Sequence, residues 1–137
     1  MLIGLSLTDM KTIGIVGSRR RVKATDYALV YAKLNEVYED GDRIVSGGCP
    51  SGADFFAEQL AKKLQIPITI HYARWDKHGK AAGFMRNGDI ANDANVLIAC
   101  VASDRNGGTE DTIKKFCKQL GGMTEQQAVE AGRLYII

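Results

Sequence analysis

Residues 44–54 read Ile-Val-Ser-Gly-Gly-Cys-Pro-Ser-Gly-Ala-Asp: a short apolar run, a glycine-rich loop, then a helix-patterned segment from Ala53. A strand that opens through such a loop into a helix leaves backbone N–H groups unpaired and aims them, with the positive end of the helix dipole, at whatever lies in front. Two readings fit, an anion cradle and an ordinary strand-to-helix turn. Gly47 and Gly52 have the spacing of the two fixed glycines of a P-loop, but Ala53 and Asp54 stand where that motif needs Lys and Ser or Thr. An ATPase-type loop is therefore excluded. Cys49 lies in the same loop, where a nearby helix N-terminus can activate a thiol; a packed loop cysteine is the plainer reading.

Two more loops of this character follow apolar runs. Residues 17–21 are Gly-Ser-Arg-Arg-Arg, and residues 106–111 are Asn-Gly-Gly-Thr-Glu-Asp. Ligands of open parallel sheets bind outside the carboxyl ends of the strands, so loops that follow strands are where a site belongs. The three together predict a phosphorylated ligand held by Gly17, Ser18 and Arg19, by Ser46, Gly47, Gly48, Ser51, Gly52 and Asp54, and by Gly107, Gly108 and Thr109. Arg19 can fork onto a phosphate or carboxylate, which Lys cannot do. Arg20 and Arg21 read as a solvated basic turn. Residues 73–83 read as a long loop, a possible lid, whose Trp75 can stack on a base or anchor the loop on the core. Lys77, His78 and Lys80 read as a solvated charge run. Arg86 and Asn87 open a further helix and can project into the same crevice, with a surface salt bridge as the competing reading.

The elements that must position these residues are visible as alternating patterns. Strand-like runs occupy residues 12–16, 43–46, 68–72, 95–101 and 134–137. Between them lie helical patterns at residues 25–38, from 53 to Pro67, at 84–93 and around 113–120, with Thr124 and Gln127 as a capping box for a short last helix. This alternation predicts an α/β fold: a single Rossmann-like domain, with a mostly parallel sheet of about five strands and helices on both faces. At 137 residues the chain has the length of one domain, and 45% apolar with 25% charged residues is an ordinary globular balance. A net charge of +2 falls far short of the excess a duplex-DNA protein carries. No apolar run is long enough to span a bilayer, and the N-terminus lacks a basic region followed by an apolar core, so the expected setting is the cytoplasm. Three cysteines without a CxxC pair, and two histidines, make neither a disulfide framework nor a structural zinc site. No metal site is read. HExxH, Gly-x-Ser-x-Gly and strand-plus-GxGxxG signatures are absent as well.

Taken in order, Gly17-Ser18-Arg19, the Ser-Gly-Gly-x-x-x-Gly-Ala-Asp of residues 46–54, the Trp-x-x-x-Gly-Lys-x-Ala-Gly of residues 75–83, Arg86-Asn87 and Gly108-Thr109 resemble the YspA or cpYpsA-related branch of the SLOG superfamily. The resemblance covers roughly residues 12–120. It implies a Rossmann-like domain that binds nucleotides or derivatives such as ADP-ribose, as a sensor or processor, and it implies pairing as a homodimer. Among its relatives, the LOG phosphoribohydrolases cleave N-glycosidic bonds with an Arg and with the Glu of Pro-Gly-Gly-x-Gly-Thr-x-x-Glu. Arg86 matches that Arg. Thr112 stands at the Glu position, no Pro precedes Gly107, and Phe84 stands where the family usually has Pro.

Three functions therefore remain open. The first is a nucleotide-binding module with no assigned cofactor beyond its ligand and no assigned Mg requirement. The second is a hydrolase using Arg86 and Glu110, in which Glu110 or Asp111 supplies the carboxylate that glycosidic cleavage requires. Both acids have a plainer reading as first-turn residues that favour the helix dipole. The third, single-stranded nucleic acid binding, resembles the DNA-processing A proteins, but their extra domains and larger basic surface are missing.

Overall fold

The computed structural model describes residues 10–137; the N-terminal stretch on which the absence of a leader was read lies outside the described residues. Five strands form one sheet in the order β3-β2-β1-β4-β5, and every pairing is parallel. They are β1 (Thr12–Gly17), β2 (Arg43–Ser46), β3 (Ile68–Ile70), β4 (Val96–Cys100) and β5 (Leu134–Ile136). β4 is buried along its whole length, as a central strand covered on both faces must be. Successive side chains of such a strand point to opposite faces. Val96, Ile98 and Cys100 accordingly join Ile13 and Ile15 in one core layer, while Leu97, Ala99 and Val101 join Val16 in the other.

Helices α1 (Ala24–Val37) and α2 (Ala53–Leu64) cover the first layer. α1 buries Val30, Leu34 and Val37 at helical spacing, and its first turn is closed by Asp26, which accepts the Lys23 N–H at 3.1 Å. The second layer lies under α4 (Ala82–Asp93), α5 (Gly108–Gln119) and the short α6 (Glu125–Glu130). The expected capping box of α6 is formed, with Thr124 and Gln127 exchanging bonds of 3.1 and 2.9 Å. None of the described helices is long and apolar enough to cross a membrane.

The expected loop at residues 73–83 is instead largely helical. A short α3 (Trp75–His78) and a 3-10 turn (Gly79–Ala81) run directly into α4, which starts two residues before the expected Phe84. The segment holds no proline to stop it, and the Trp75 ring lies on Gly83, where an added Cβ would be 3.2 Å from the indole. Trp75 thus pins the segment to α4, and a free lid is not what these residues form.

The chain steps outward from β1 to β2 and β3, then crosses back to β4 on the other side of β1. This reversal opens a crevice between the carboxyl ends of β1 and β4. Two glycines bring α2 up to it. A Cβ on Gly17 would lie 2.6 Å from the Ala53 Cβ and 2.9 Å from the Cys100 carbonyl oxygen. Gly52 has φ +74°, and a Cβ there would lie 2.5 Å from the carbonyl oxygen of Ser18. Both contacts are with backbone or with buried atoms that have nowhere to move. We expect Gly52→Ala to lower stability by about 1–3 kcal/mol, the sum of strain and overpacking. The check is a denaturant midpoint, and a midpoint equal to wild type would show that α2 does not sit this close to β1.

Candidate functional site

The crevice holds a cavity of about 280 Å³. Val16 and Ile90 make an apolar floor, and the walls come from all three glycine-rich loops and from α4. Gly17, Ser18, Arg19 and Arg20 contribute from the loop after β1, Cys49 and Asp54 from the loop after β2, and Asn106, Gly107, Gly108 and Thr109 from the loop after β4. α2 and α5 both start from a glycine cap, Gly52 and Gly107, and neither has a side-chain cap. First-turn N–H groups at both helix ends are thus left without the usual side-chain acceptor.

Arg86 and Asn87 tie the walls together. Arg86 Nη1 donates to the Gly47 carbonyl at 2.6 Å, and its Nε donates to Asn87 Oδ1 at 3.1 Å. Asn87 Nδ2 in turn donates to the Gly108 carbonyl at 3.2 Å and to Asp111 at 3.1 Å. Two residues of α4 thereby hold both the loop after β2 and the start of α5. The competing reading of Arg86 as a surface salt bridge does not describe this geometry. Asn87 has its amide fully engaged, while Arg86 keeps Nη2 without a protein partner among the described residues.

The three consecutive arginines divide. Arg19 is exposed at the mouth and has no partner among the described residues. Arg20 forks onto Asp104 at 2.7 and 3.0 Å and reaches the Asn106 carbonyl, holding the Asp104 carboxyl down at about 2 through those hydrogen bonds. Arg21 donates to Asp26 at 2.7 Å and to the carbonyls of Val101 and Ile137 at 2.7 and 2.9 Å. Arg20 and Arg21 are therefore ties between elements, which corrects the expectation that they form a solvated basic turn.

Ser46, Gly47, Gly48, Ser51 and Gly52 shape the second loop without lining the cavity. Within that loop Asp54 Oδ2 accepts the Cys49 N–H at 3.1 Å, so the carboxyl braces the loop from inside. Burial pushes the Asp54 carboxyl above its ordinary range, opposed by the Cys49 N–H and the Arg86 charge. Gly47 permits this proximity, since a Cβ there would meet Asp54 Oδ2 at 2.8 Å and Arg86 Nη1 at 2.9 Å.

Two further expected site residues, Glu110 and Trp75, also lie outside the cavity lining. Glu110 turns away from the crevice: both its oxygens accept from Arg105 at 2.8 Å, and Arg105 also binds Glu125. Glu110 lines a separate groove beside Ile113, Cys117 and Met123. On α5 it is Thr109 and Thr112, three apart, that face the cavity, and Glu110 falls off that face. Trp75 lies half exposed against Gly83 and is not part of the crevice wall. Conversely, Asn106 and Thr112 line the crevice without having been expected there; Thr112 follows from the spacing to Thr109, while Asn106 had only its place beside Gly107 to mark it. No group of three or more metal-ligating side chains occurs among the described residues.

No family model and no curated protein matches this chain. Among solved structures, the molybdenum cofactor binding protein from the phototrophic bacterium Rippkaea orientalis is similar, with a TM-score of 0.65 over 93% of this chain and 88% of that chain. The two sequences are 21% identical over the match. The likeness shows the fold: a Rossmann-like domain with an all-parallel five-stranded sheet.

Proposed function

We propose that the crevice binds a nucleotide or nucleotide derivative, ADP-ribose-like or a nucleoside phosphate, by its phosphate, and that the protein acts as a cytoplasmic sensor or processor of that ligand. The observation that supports this most is the meeting of Arg19 and Arg86 with the side-chain-uncapped N-terminus of α5 around one cavity that has an apolar floor. Helix N-termini and arginine forks are the protein's standard means of holding phosphate. The cavity's 280 Å³ lies at the small end of ligand sites, which run roughly 300–1,000 Å³, so it suits the phosphate and sugar of one nucleotide. A longer ligand would extend past Arg19 into solvent. Membership of the SLOG superfamily, on the motifs quoted from the sequence, is part of this proposal.

A hydrolase remains the second reading because Arg86 is in the wall, but Glu110 is not the group that would serve it. Asp54 is the carboxyl that lines the cavity. Single-stranded nucleic acid is the third reading, with no observation in the crevice that favours it.

Calorimetry with AMP, ADP-ribose, NAD, a molybdenum cofactor preparation and a short oligonucleotide tests the proposal. At least one of the nucleotides should bind, with Arg86→Ala and Arg19→Ala each weakening it about tenfold or more, the loss expected of a charged hydrogen bond. No nucleotide binding at millimolar concentration by the wild type would sink the reading, and binding of the cofactor alone would replace it. Glu110→Gln should change affinity by less than about twofold, as befits an exposed ion pair remote from the ligand. If product analysis finds turnover in the wild type that Glu110→Gln abolishes, the exclusion of Glu110 from the chemistry is wrong.

A further inference from the structure

Asp54 is the single acidic side chain in the crevice wall, and it is 7% exposed. An acid at this place opposes anion binding unless its charge is removed. Its two oxygens have different surroundings. Oδ2 accepts the Cys49 backbone N–H at 3.1 Å, whereas Oδ1 lies 3.2 Å from the fully buried hydroxyl of Ser46. That hydroxyl has one proton and a second, nearer neighbour, the Ile15 carbonyl oxygen at 2.7 Å, which can only accept. With its proton on the shorter contact, Ser46 turns lone pairs toward Asp54. An ionised Oδ1 would then face another oxygen with no proton between them. A protonated Oδ1 donates to Ser46, Ser46 donates to Ile15, and every polar atom of the chain is satisfied, as buried groups require.

We propose that Asp54 is a neutral acid in the ligand-free crevice and that phosphate binds to this protonated form, so that above the Asp54 titration ligand and proton bind together. The proposal rests on the nucleotide-binding reading for its ligand, and on the Asp54–Ser46–Ile15 chain for its proton. The charged and titratable groups facing Asp54 are Arg86 from α4, Arg19 and the Asp104-paired Arg20 across the cavity from the β1 loop, Glu58 one turn further along α2, and Cys49 of its own loop. Arg86 favours the ionised form and Glu58 the neutral one. With Asp54 neutral, the charges of Arg19 and Arg86 act on the ligand undiminished. With Asp54 ionised, its charge offsets Arg86 and repels the phosphate from within the wall.

Two measurements test this. In the ligand-free protein, carbon-13 NMR of labelled aspartate carboxyls, with Asp54→Asn for assignment, should show Asp54 titrating well above the ordinary aspartate value of about 3.9. In calorimetry, ADP-ribose is the probe, because its pyrophosphate diester neither gains nor loses a proton in the neutral range. Above the Asp54 titration its affinity should fall about tenfold per pH unit, and comparison of buffers with different ionisation enthalpies should show uptake approaching one proton per ligand. Asp54→Asn reproduces the neutral acid, with an amide oxygen for the Cys49 N–H and an amide N–H for Ser46, and should lose both the pH dependence and the proton uptake. An Asp54 carboxyl that titrates in the ordinary range or below overturns the proposal whatever binds. ADP-ribose binding with flat affinity and no proton uptake also overturns it. A carboxyl that titrates high in a protein that does not bind ADP-ribose at any pH upholds the neutral acid and overturns its coupling to this ligand; the nucleotide-binding reading itself then falls only if the other nucleotides of the panel fail too.

Discussion

The seating of α2 on the carboxyl end of β1 is the contact on which the rest of the structure depends. Gly17 and Gly52 leave room for it, and Ala53, with no exposed surface, fills the space between. Because backbone lies almost directly on backbone, the loop before α2 is carried to the point where the sheet order reverses, and the helix N-terminus opens onto the same space as the loops after β1 and β4. Side chains could not substitute for this contact. A methyl group at either glycine would displace the helix from the strand, since interiors at protein density yield little. The close approach of main chain to main chain thus sets where the loops that wall the crevice begin.

Bringing so much main chain together leaves carbonyls and N–H groups to be paired, and long polar side chains do that pairing. Arg86, Asn87, Arg20 and Arg21 each reach a carbonyl or carboxylate on another element, and no buried side-chain polar atom among the described residues lacks a partner. The same accounting decides which cations remain for a ligand. Arg20 is neutralised by Asp104 and Arg21 by Asp26, so the cations left in the crevice wall are Arg19 and Arg86, beside the start of α5. A protein with an overall charge of only +2 can in this way set around one recess two cations without a carboxylate partner among the described residues.

The strand at residues 43–46, the start of α2 at Ala53 and the closure of α5 were legible in the sequence because apolar period and glycine placement agreed there. The crevice too was legible, since the sheet type alone says which loops share an edge. Residues 73–83 were not, because glycine and charge imitate a loop when the tertiary contact of Trp75 with Gly83 is unseen. The ties of Arg20 and Arg21 were equally hidden: their partners at Asp104, Val101 and Ile137 are 80 or more positions away. Glu110 is a different case. The core positions Ile113, Phe116 and Cys117 already fixed the phase of α5, and that phase puts Thr109 and Thr112 toward the crevice with Glu110 off to the side. Proximity in sequence to Gly108 suggested a place in the crevice that the helical phase does not give it.

An aspartate in a loop with the glycine spacing of a phosphate cradle looks contradictory until the Cys49 N–H is followed. In a P-loop the successive N–H groups point at the bound phosphate. Here Cys49 gives its N–H to Asp54, inward, and Pro50 has none to give. The loop of residues 46–52 thus closes on its own carboxyl and becomes a rigid wall. The donors left at the cavity are Arg19, the free edge of Arg86 and the start of α5. A phosphate would therefore sit nearer α5 than the glycine-rich motif suggests, with Asp54 behind it as a neighbour whose charge matters. On the proposed binding, the residue that looks like the failed remnant of an ATPase loop is what shifts the anion from the motif toward the opposite wall.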